Sequence, residues 1–157
     1  MTREELAQAL LSYAAGVEAE LRLLRHLQRL ADIQHTASRE PDLQSINRLN
    51  DERERLMASL VSIEHEIRPL RLAIHEERHL AAQIPGFDRV ATLHQQAGEL
   101  VATILAADQK TKEALREAEV ARRFAARTLE VGEATLAAYR RVVKPEMASA
   151  ALVNRRG

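Results

Sequence analysis

Apolar residues recur every three or four positions along most of this chain, which is the spacing that places side chains on one face of an α-helix. Three such stripes follow one another, beginning near Leu6, Leu43 and Leu93. The alternating pattern that is typical of a β-strand does not interrupt them. The sequence therefore predicts an all-α fold. The predicted helices cover about residues 3–37, 42–83 and 88–142.

Local signals indicate where these helices begin and end. Thr2 and Glu5 fit a capping box, in which each side chain binds the backbone amide of the other residue. Pro41 suits the first turn of the second helix, and Pro69 inside that helix predicts a kink or a break. The Pro-Gly pair at 85–86 indicates the turn before the third helix.

Short connections predict that the three helices run up, down and up as an antiparallel bundle or coiled coil, in one domain over residues 1–143. At about 1.5 Å per residue, the first two helices would be roughly 50 and 60 Å long and the third about 80 Å. The third helix should therefore overhang the other two at its C-terminal end. Residues 144–157 contain a proline and no long stripe, so we predict a flexible tail there.

The overhanging part of the third helix carries apolar residues on one face, and such a face must fold back, dimerise or bind a partner. Gly132 offers a hinge for the first of these alternatives. Alanines earlier in the helix would let a guest backbone approach closely, or would pack against the first two helices. The predicted partner-binding residues are Leu115, Ala118, Ala125, Leu129, Leu136, Tyr139 and Val143.

The segment "HEERH" at residues 75–79 matches the H-E-x-x-H pattern of zinc hydrolases. On a helix, two histidines four residues apart can bind one metal ion while the glutamate polarises a bound water. Glu99 stands at the spacing of a third ligand, but Pro85 replaces the histidine of the extended pattern. The chain offers neither an edge strand nor an aromatic pocket to build a cleft around a metal. We therefore predict a solvated helix face, with no metal, no cofactor and no catalytic residue.

Composition supports the helical prediction and narrows the classes of partner. Only 3% of the residues are aromatic and 29% are charged, which is typical of long helices and coiled coils. The 23 acidic and 23 basic residues balance, so neither nucleic acid nor a membrane surface is expected as the main partner. No apolar run approaches the roughly 18 residues of a membrane span, and the sequence "MTREEL" is unlike a signal peptide. The absence of cysteine suits the cytosol, and we predict a cytoplasmic protein.

Two long segments carry a resemblance, namely "DLQSINRLNDERERLMASLVSIEHEIRPL" and "ILAADQKTKEALREAEVARRFAARTLEVGEATLAAYRR". The first has a leucine series with a basic residue before a Leu-Met pair, and the second has an Ile-Leu pair, an acid, a polar residue and a late aromatic. These residues are Arg55, Leu56, Met57, Ile104, Leu105, Asp108, Gln109 and Tyr139. In these features the chain resembles flagellar type III export chaperones of the FlgN type over about residues 20–143. The chaperone of the filament cap is nearly as similar. Pro69 and the alanine-rich C-terminal part depart from the family pattern.

The resemblance implies a small cytoplasmic chaperone that holds the helical terminus of a secreted flagellar subunit until type III secretion. That subunit would belong to the hook-filament junction or to the filament cap, with the export apparatus as a further partner. An alternative from a different class stays open. In that alternative the chain is a coiled-coil structural or adaptor protein that forms a homodimer through its third helix and has no client.

Overall fold

The computed structural model describes the backbone of residues 1–39 and 42–156, and their side chains except those of Leu43 and of residues 142–156. This part of the chain is helical and contains no strand, which confirms the predicted all-α helical bundle. The helices are α1 (Arg3–Ala37), α2 (Leu43–Glu76), α3 (Arg78–Ala81) and α4 (Phe87–Arg156). Contacts within the chain divide it into two compact units, Met1–Ala114 and Leu115–Gly157, and the boundary falls within α4. The prediction of one domain over residues 1–143 stays a prediction.

Helix α1 begins with the predicted capping box. The Thr2 amide donates to Glu5 Oε2 at 2.7 Å, and the Glu5 amide donates to Thr2 Oγ1 at 3.2 Å. These bonds satisfy two amides that a helix start would otherwise leave without partners, and the same contact lowers the pKa of Glu5. At the other end, the buried Ser38 hydroxyl donates to the His35 carbonyl at 2.6 Å.

Helix α2 starts at an Asp42 cap, whose Oδ1 accepts from the Gln44 amide at 3.2 Å. Pro41, which the sequence assigned to this turn, lies outside the described residues, as does Glu40. The helix passes through Pro69 without ending there. It stops at Glu76 instead, and α3 follows as a single turn.

The turn before α4 contains Gly86 at a φ of 98°, a left-handed conformation that glycine adopts without the strain a Cβ would cause. Helix α4 begins directly after it at Phe87. The helix continues to Arg156, past residue 142, where the sequence predicted its end. The predicted tail over residues 144–157 falls on side chains outside the described part, and its flexibility stays a prediction.

Two apolar clusters show how the helices of the first unit are oriented. Near the N-terminus of α1, Leu6 and its neighbours pack with Ile74 of α2 and Val90 of α4. Two to three turns before the end of α1, Leu27 and its neighbours pack with Ile104 of α4. The start of α1 therefore meets the end of α2 and the start of α4. This arrangement is the predicted one, with α1 and α4 parallel and α2 antiparallel to both.

Candidate functional site

The second unit of the chain, which begins at Leu115, is the part of α4 where the sequence places its partner-binding residues. Residues 115–141 are rich in alanine, glutamate and arginine, which are good helix formers, and they contain no proline. Glu119 and Arg123 form an ion pair one turn apart, with Nη2 2.7 Å from Oε1. The Thr128 and Thr135 hydroxyls donate to carbonyls one turn earlier, at 3.0 and 2.8 Å. Local interactions therefore support this helix.

Of the predicted partner-binding side chains that the structure describes, all but Ala118 are exposed. Leu129, Leu136 and Tyr139 expose 67%, 68% and 67% of their surface, and Leu115 exposes 40%. Ala125 is exposed and Ala118 is half-buried. Val143 belongs to α4, but its side chain lies outside the described residues. Apolar side chains this large are normally buried, so a continuous exposed run of them indicates a contact surface.

These residues lie on one face of α4 and repeat with the spacing of a coiled coil. Steps of three and four residues connect the set, and they pass through Arg122 and Gly132 on the way. Ala118, Ala125 and Gly132 are small and lie seven residues apart. The stripe positions between them, Arg122 and Leu129, are large. We call this face the first stripe. It consists of Leu115, Ala118, Ala125, Leu129, Leu136 and Tyr139.

A second apolar face, which the sequence prediction missed, runs along the same part of α4. Val120, Phe124 and Val131 expose 66%, 72% and 67% of their surface. At 100° per residue these three positions cluster about 120 to 160° around the helix from the middle of the first stripe. We call them the second stripe. Their spacing of four and seven residues is typical of one helical face, but these residues do not belong to the continuous stripe that was predicted.

The charges beside the two stripes are mostly basic. Residues 115–141 contain six arginines and four glutamates. Arg122 stands within the line of the first stripe, between Ala118 and Ala125. A helix that packed along this stripe would best place a carboxylate opposite Arg122, because a guanidinium held against an apolar contact needs an acceptor.

Several residues that carried the family resemblance have structural roles in the first unit. The Arg53 guanidinium forms two bonds to the Asp108 carboxylate, one of them from Nη1 to Oδ1 at 2.7 Å. The same Nη1 donates to Gln34 Oε1 at 2.7 Å, so the group links α1, α2 and α4. Ile104 is buried, whereas Leu105 and Met57 are exposed.

The "HEERH" segment lies at a helix break and not on one continuous helix. Helix α2 ends at Glu76, and Glu77 has φ −97° and ψ 27°, so the backbone between the two histidines is not regular α-helix. His75, Glu76 and His79 are exposed, as expected for a solvated face. Within the described part of the chain, no group of three or more His, Asp or Glu side chains is placed to hold a metal ion.

Two further observations bear on the class of protein. Among the described residues, no helix is both long and apolar enough to cross a lipid bilayer. Comparison with protein-family models, with curated proteins and with solved structures yields no match for this chain. The exposed surface of α4 therefore has to carry the functional proposal.

Proposed function

We propose that this chain is a cytoplasmic export chaperone whose first stripe binds the helical terminus of a secreted flagellar subunit. The observation that carries the proposal is the exposure of Leu129, Leu136 and Tyr139, at 67 to 68% each, on one face of α4. An amphipathic helix can lay its own apolar face on such a stripe, as in other helix-in-groove complexes. The client helix would otherwise expose that face and self-associate before export.

The physical features of α4 support a helical client over an extended one. The first stripe follows coiled-coil spacing, so a second helix could insert its side chains between those of α4 along the whole surface. The small residues Ala118, Ala125 and Gly132 recur every seven positions and would let the client backbone approach closely at those levels. Arg122 would select a client with an acidic residue at the matching level.

The resemblance to chaperones of the FlgN type supplies the class of client. We propose a subunit of the hook-filament junction, with a subunit of the filament cap as the nearest alternative. Asp108 and Ile104, two of the residues behind the resemblance, are engaged inside the first unit. Tyr139 is exposed on the first stripe and is free to contact a client. The export apparatus would receive the complex afterwards.

A decisive experiment changes the first stripe without disturbing the first unit. The chain and a hook-filament junction subunit would be co-expressed, and Leu136→Asp with Tyr139→Asp should abolish co-purification. The melting temperature of the free protein should hardly change, because both side chains are already in water. Ala134→Asp is the matched control, since residue 134 lies about 200° around the helix from residue 136. It should leave co-purification intact.

Two results would contradict this proposal. Unfolding of the free double variant would mean that residues 136 and 139 are buried in solution. Placing a carboxylate in an apolar contact costs roughly several kcal/mol, which would destabilise the fold. Full binding of the subunit by a chain that ends after residue 130 would remove the client from this part of α4.

The same coiled-coil spacing favours a second candidate function, namely a structural or adaptor protein that dimerises through α4. Alternating large and small positions can pack against a second copy of the same stripe. Light scattering separates the two functions. A monomer that binds the flagellar subunit supports the chaperone, whereas a tight dimer that the Leu136 and Tyr139 substitutions dissociate supports the adaptor.

A further inference from the structure

A groove of about 450 Å³ lies in the first unit, between α1, α2 and α4, and is separate from the α4 stripes. Its size falls in the range of roughly 300 to 1,000 Å³ that is common for small-molecule sites. Its walls are largely apolar and are formed by Leu24, Leu60, Val61, Ala97 and Val101. Two carboxyl groups, those of Glu20 and Glu64, also line it. An apolar groove with a few convergent polar groups is the usual form of a ligand site.

Glu20 is the unusual residue in this groove, because only 9% of it is exposed. Among the residues that the structure describes, no lysine, arginine or histidine forms an ion pair with it. The Glu64 carboxyl group lies close enough to act on Glu20 through a hydrogen bond and through its like charge. A buried carboxylate without a cation is costly, so the protonated form of Glu20 is favoured over its ordinary balance with the carboxylate. Burial, with a smaller effect from Glu64, raises the pKa of Glu20 to about 7.

Arg71, the cation that acts on Glu20, is already used by other groups. Arg71 donates from Nη1 and Nη2 to the two oxygens of Glu64, at 2.5 and 2.6 Å. Its Nε donates to the Tyr13 hydroxyl at 3.1 Å. The Tyr13 hydroxyl also forms a hydrogen bond with His94 Nδ1, 3.1 Å away. With both glutamates ionised, two negative charges would face the groove, and the Arg71 guanidinium would pair with only one of them, Glu64.

We propose that this groove binds an alkyl cation, that is, an ammonium or guanidinium group carried on a short aliphatic chain. The charged head would pair with Glu20 at the buried end, and the chain would lie along Leu24, Leu60 and Val101. Where Glu20 is still protonated, binding would release its proton to solvent, because the bound cation stabilises the carboxylate that pairs with it. The ligand could be a free alkylamine or the side chain of a lysine or arginine that a partner inserts.

The proton release gives the site a pH dependence of definite sign. Affinity should rise about tenfold from pH 6 to pH 8, because the ionised fraction of Glu20 rises by that factor around its pKa of about 7. The other titratable or charged groups that face Glu20 are Glu64 and Arg71 of α2 and His94 of α4.

The test uses the full chain and n-butylguanidinium as the probe, followed by shifts of backbone amide signals in NMR titrations at pH 6 and pH 8. We expect saturable shifts at residues of the groove at pH 8. Glu20→Gln should weaken binding at least tenfold and abolish the pH dependence. Glu99→Gln is the matched control, because Glu99 is an exposed acid beside the groove residue Gly98. Glu99→Gln should retain both the binding of n-butylguanidinium and its pH dependence.

Two further variants make the result unambiguous. A Cβ on Gly98 would meet no atom within 4 Å, so Gly98→Leu should fill the groove and block binding while Glu20 stays intact. A capped tripeptide with a central arginine distinguishes the two sources of the cation. If the peptide binds as well as n-butylguanidinium, an inserted side chain fits the site. If only the free cation binds, the ligand is a small molecule. Absence of saturable shifts in the groove at pH 8, or equal binding by Glu20→Gln, would overturn the proposal.

Discussion

Gly16 of α1 packs so closely against Ile67 of α2 that a Cβ on Gly16 would overlap the Ile67 side chain. Glycine usually weakens a helix by about 1 kcal/mol relative to alanine. Here its lack of a side chain lets the two helices approach, and Ile67 is 4% exposed as a result. The position of this glycine is therefore set by packing between helices and not by local backbone conformation.

We expect Gly16→Ala to lower the free energy of unfolding by about 1 to 3 kcal/mol, because the added methyl group overpacks the contact with Ile67. Urea unfolding followed by circular dichroism measures this change. Gly132→Ala is the matched control, since a Cβ there meets no atom within 4 Å. The control should be neutral or slightly stabilising. A stabilised Gly16→Ala variant would show that α1 and α2 are not in close contact at this level.

A second prediction concerns the Arg53–Asp108 ion pair, whose side chains are only 23% and 24% exposed. Asp108→Asn should destabilise the protein by about 1 to 2 kcal/mol, because it leaves a half-buried guanidinium without its charged partner. Adding Arg53→Met should recover part of that loss. Glu119→Gln breaks an ion pair that is far more exposed and should change stability by less than about 0.5 kcal/mol. Equal losses of stability for Asp108→Asn and Glu119→Gln would contradict the structural role of Asp108.

The third prediction tests the exposed "HEERH" segment. His75→Gln with His79→Gln should change the free energy of unfolding by less than about 0.5 kcal/mol, because substitutions of exposed side chains rarely do more. Binding of the proposed flagellar subunit should be unchanged. Metal analysis of the dialysed protein tests the alternative. One zinc ion per chain in the parent protein, absent from the double variant, would establish a metal site.

Local sequence signals predicted the ends of α1 well and the end of α2 poorly. The Thr2–Glu5 capping box and the helical period predicted α1 over 3–37, and the structure places it at Arg3–Ala37. No proline or glycine lies between Pro69 and Pro85, so nothing local indicated the stop at Glu76. Ala81 and Ile84, which follow the stop, pack into the cluster around Leu6. Tertiary packing has therefore overridden the local preference for one longer helix.

The two candidate sites differ in how far the sequence could indicate them. The first stripe on α4 depends on one helix, so its period alone was enough to predict it. The second stripe has the same kind of signal and could have been found on a helical wheel. The groove depends on Glu20, Glu64 and His94, which come from three different helices. Only the packing of those helices shows that Glu20 is buried beside another carboxyl group.

The fourth prediction follows from the raised pKa of Glu20. Its pKa is about 7 in the folded protein, against an ordinary value of 4.5. The folded chain therefore holds this proton more tightly, and the stabilisation present below pH 4.5 is lost as the pH rises through about 7. We expect this group to lower the free energy of unfolding by on the order of 2 kcal/mol between pH 4.5 and pH 8.

Glu20→Gln isolates this effect, because glutamine keeps the size of the side chain and does not titrate. The difference in stability between the two proteins should grow in favour of the variant as the pH rises from 4.5 to 8. Glu64 contributes with the opposite sign at lower pH, since its hydrogen bonds to Arg71 lower its pKa. That contribution is lost below pH 4.5 in both proteins. Parallel stability curves for the two proteins above pH 4.5 would show that Glu20 is ionised and solvated in the folded state.

The last prediction asks how many helices the client presents to α4. A single helix needs only one stripe, but Val120, Phe124 and Val131 form a second exposed stripe about 120 to 160° around from the first. If the client is a helical hairpin, its two helices would cover both stripes. Phe124→Ser with Val131→Ser should then weaken binding of the proposed flagellar subunit about thirtyfold or more, and Leu129→Ser with Leu136→Ser should have the same effect. If the client is one helix, only the first-stripe pair should weaken binding.

Isothermal titration calorimetry measures both affinities. The melting temperatures of the free variants should stay within a few degrees of the parent, because all four side chains are already exposed. A loss of binding with the second-stripe pair alone would move the client from the first stripe to the second.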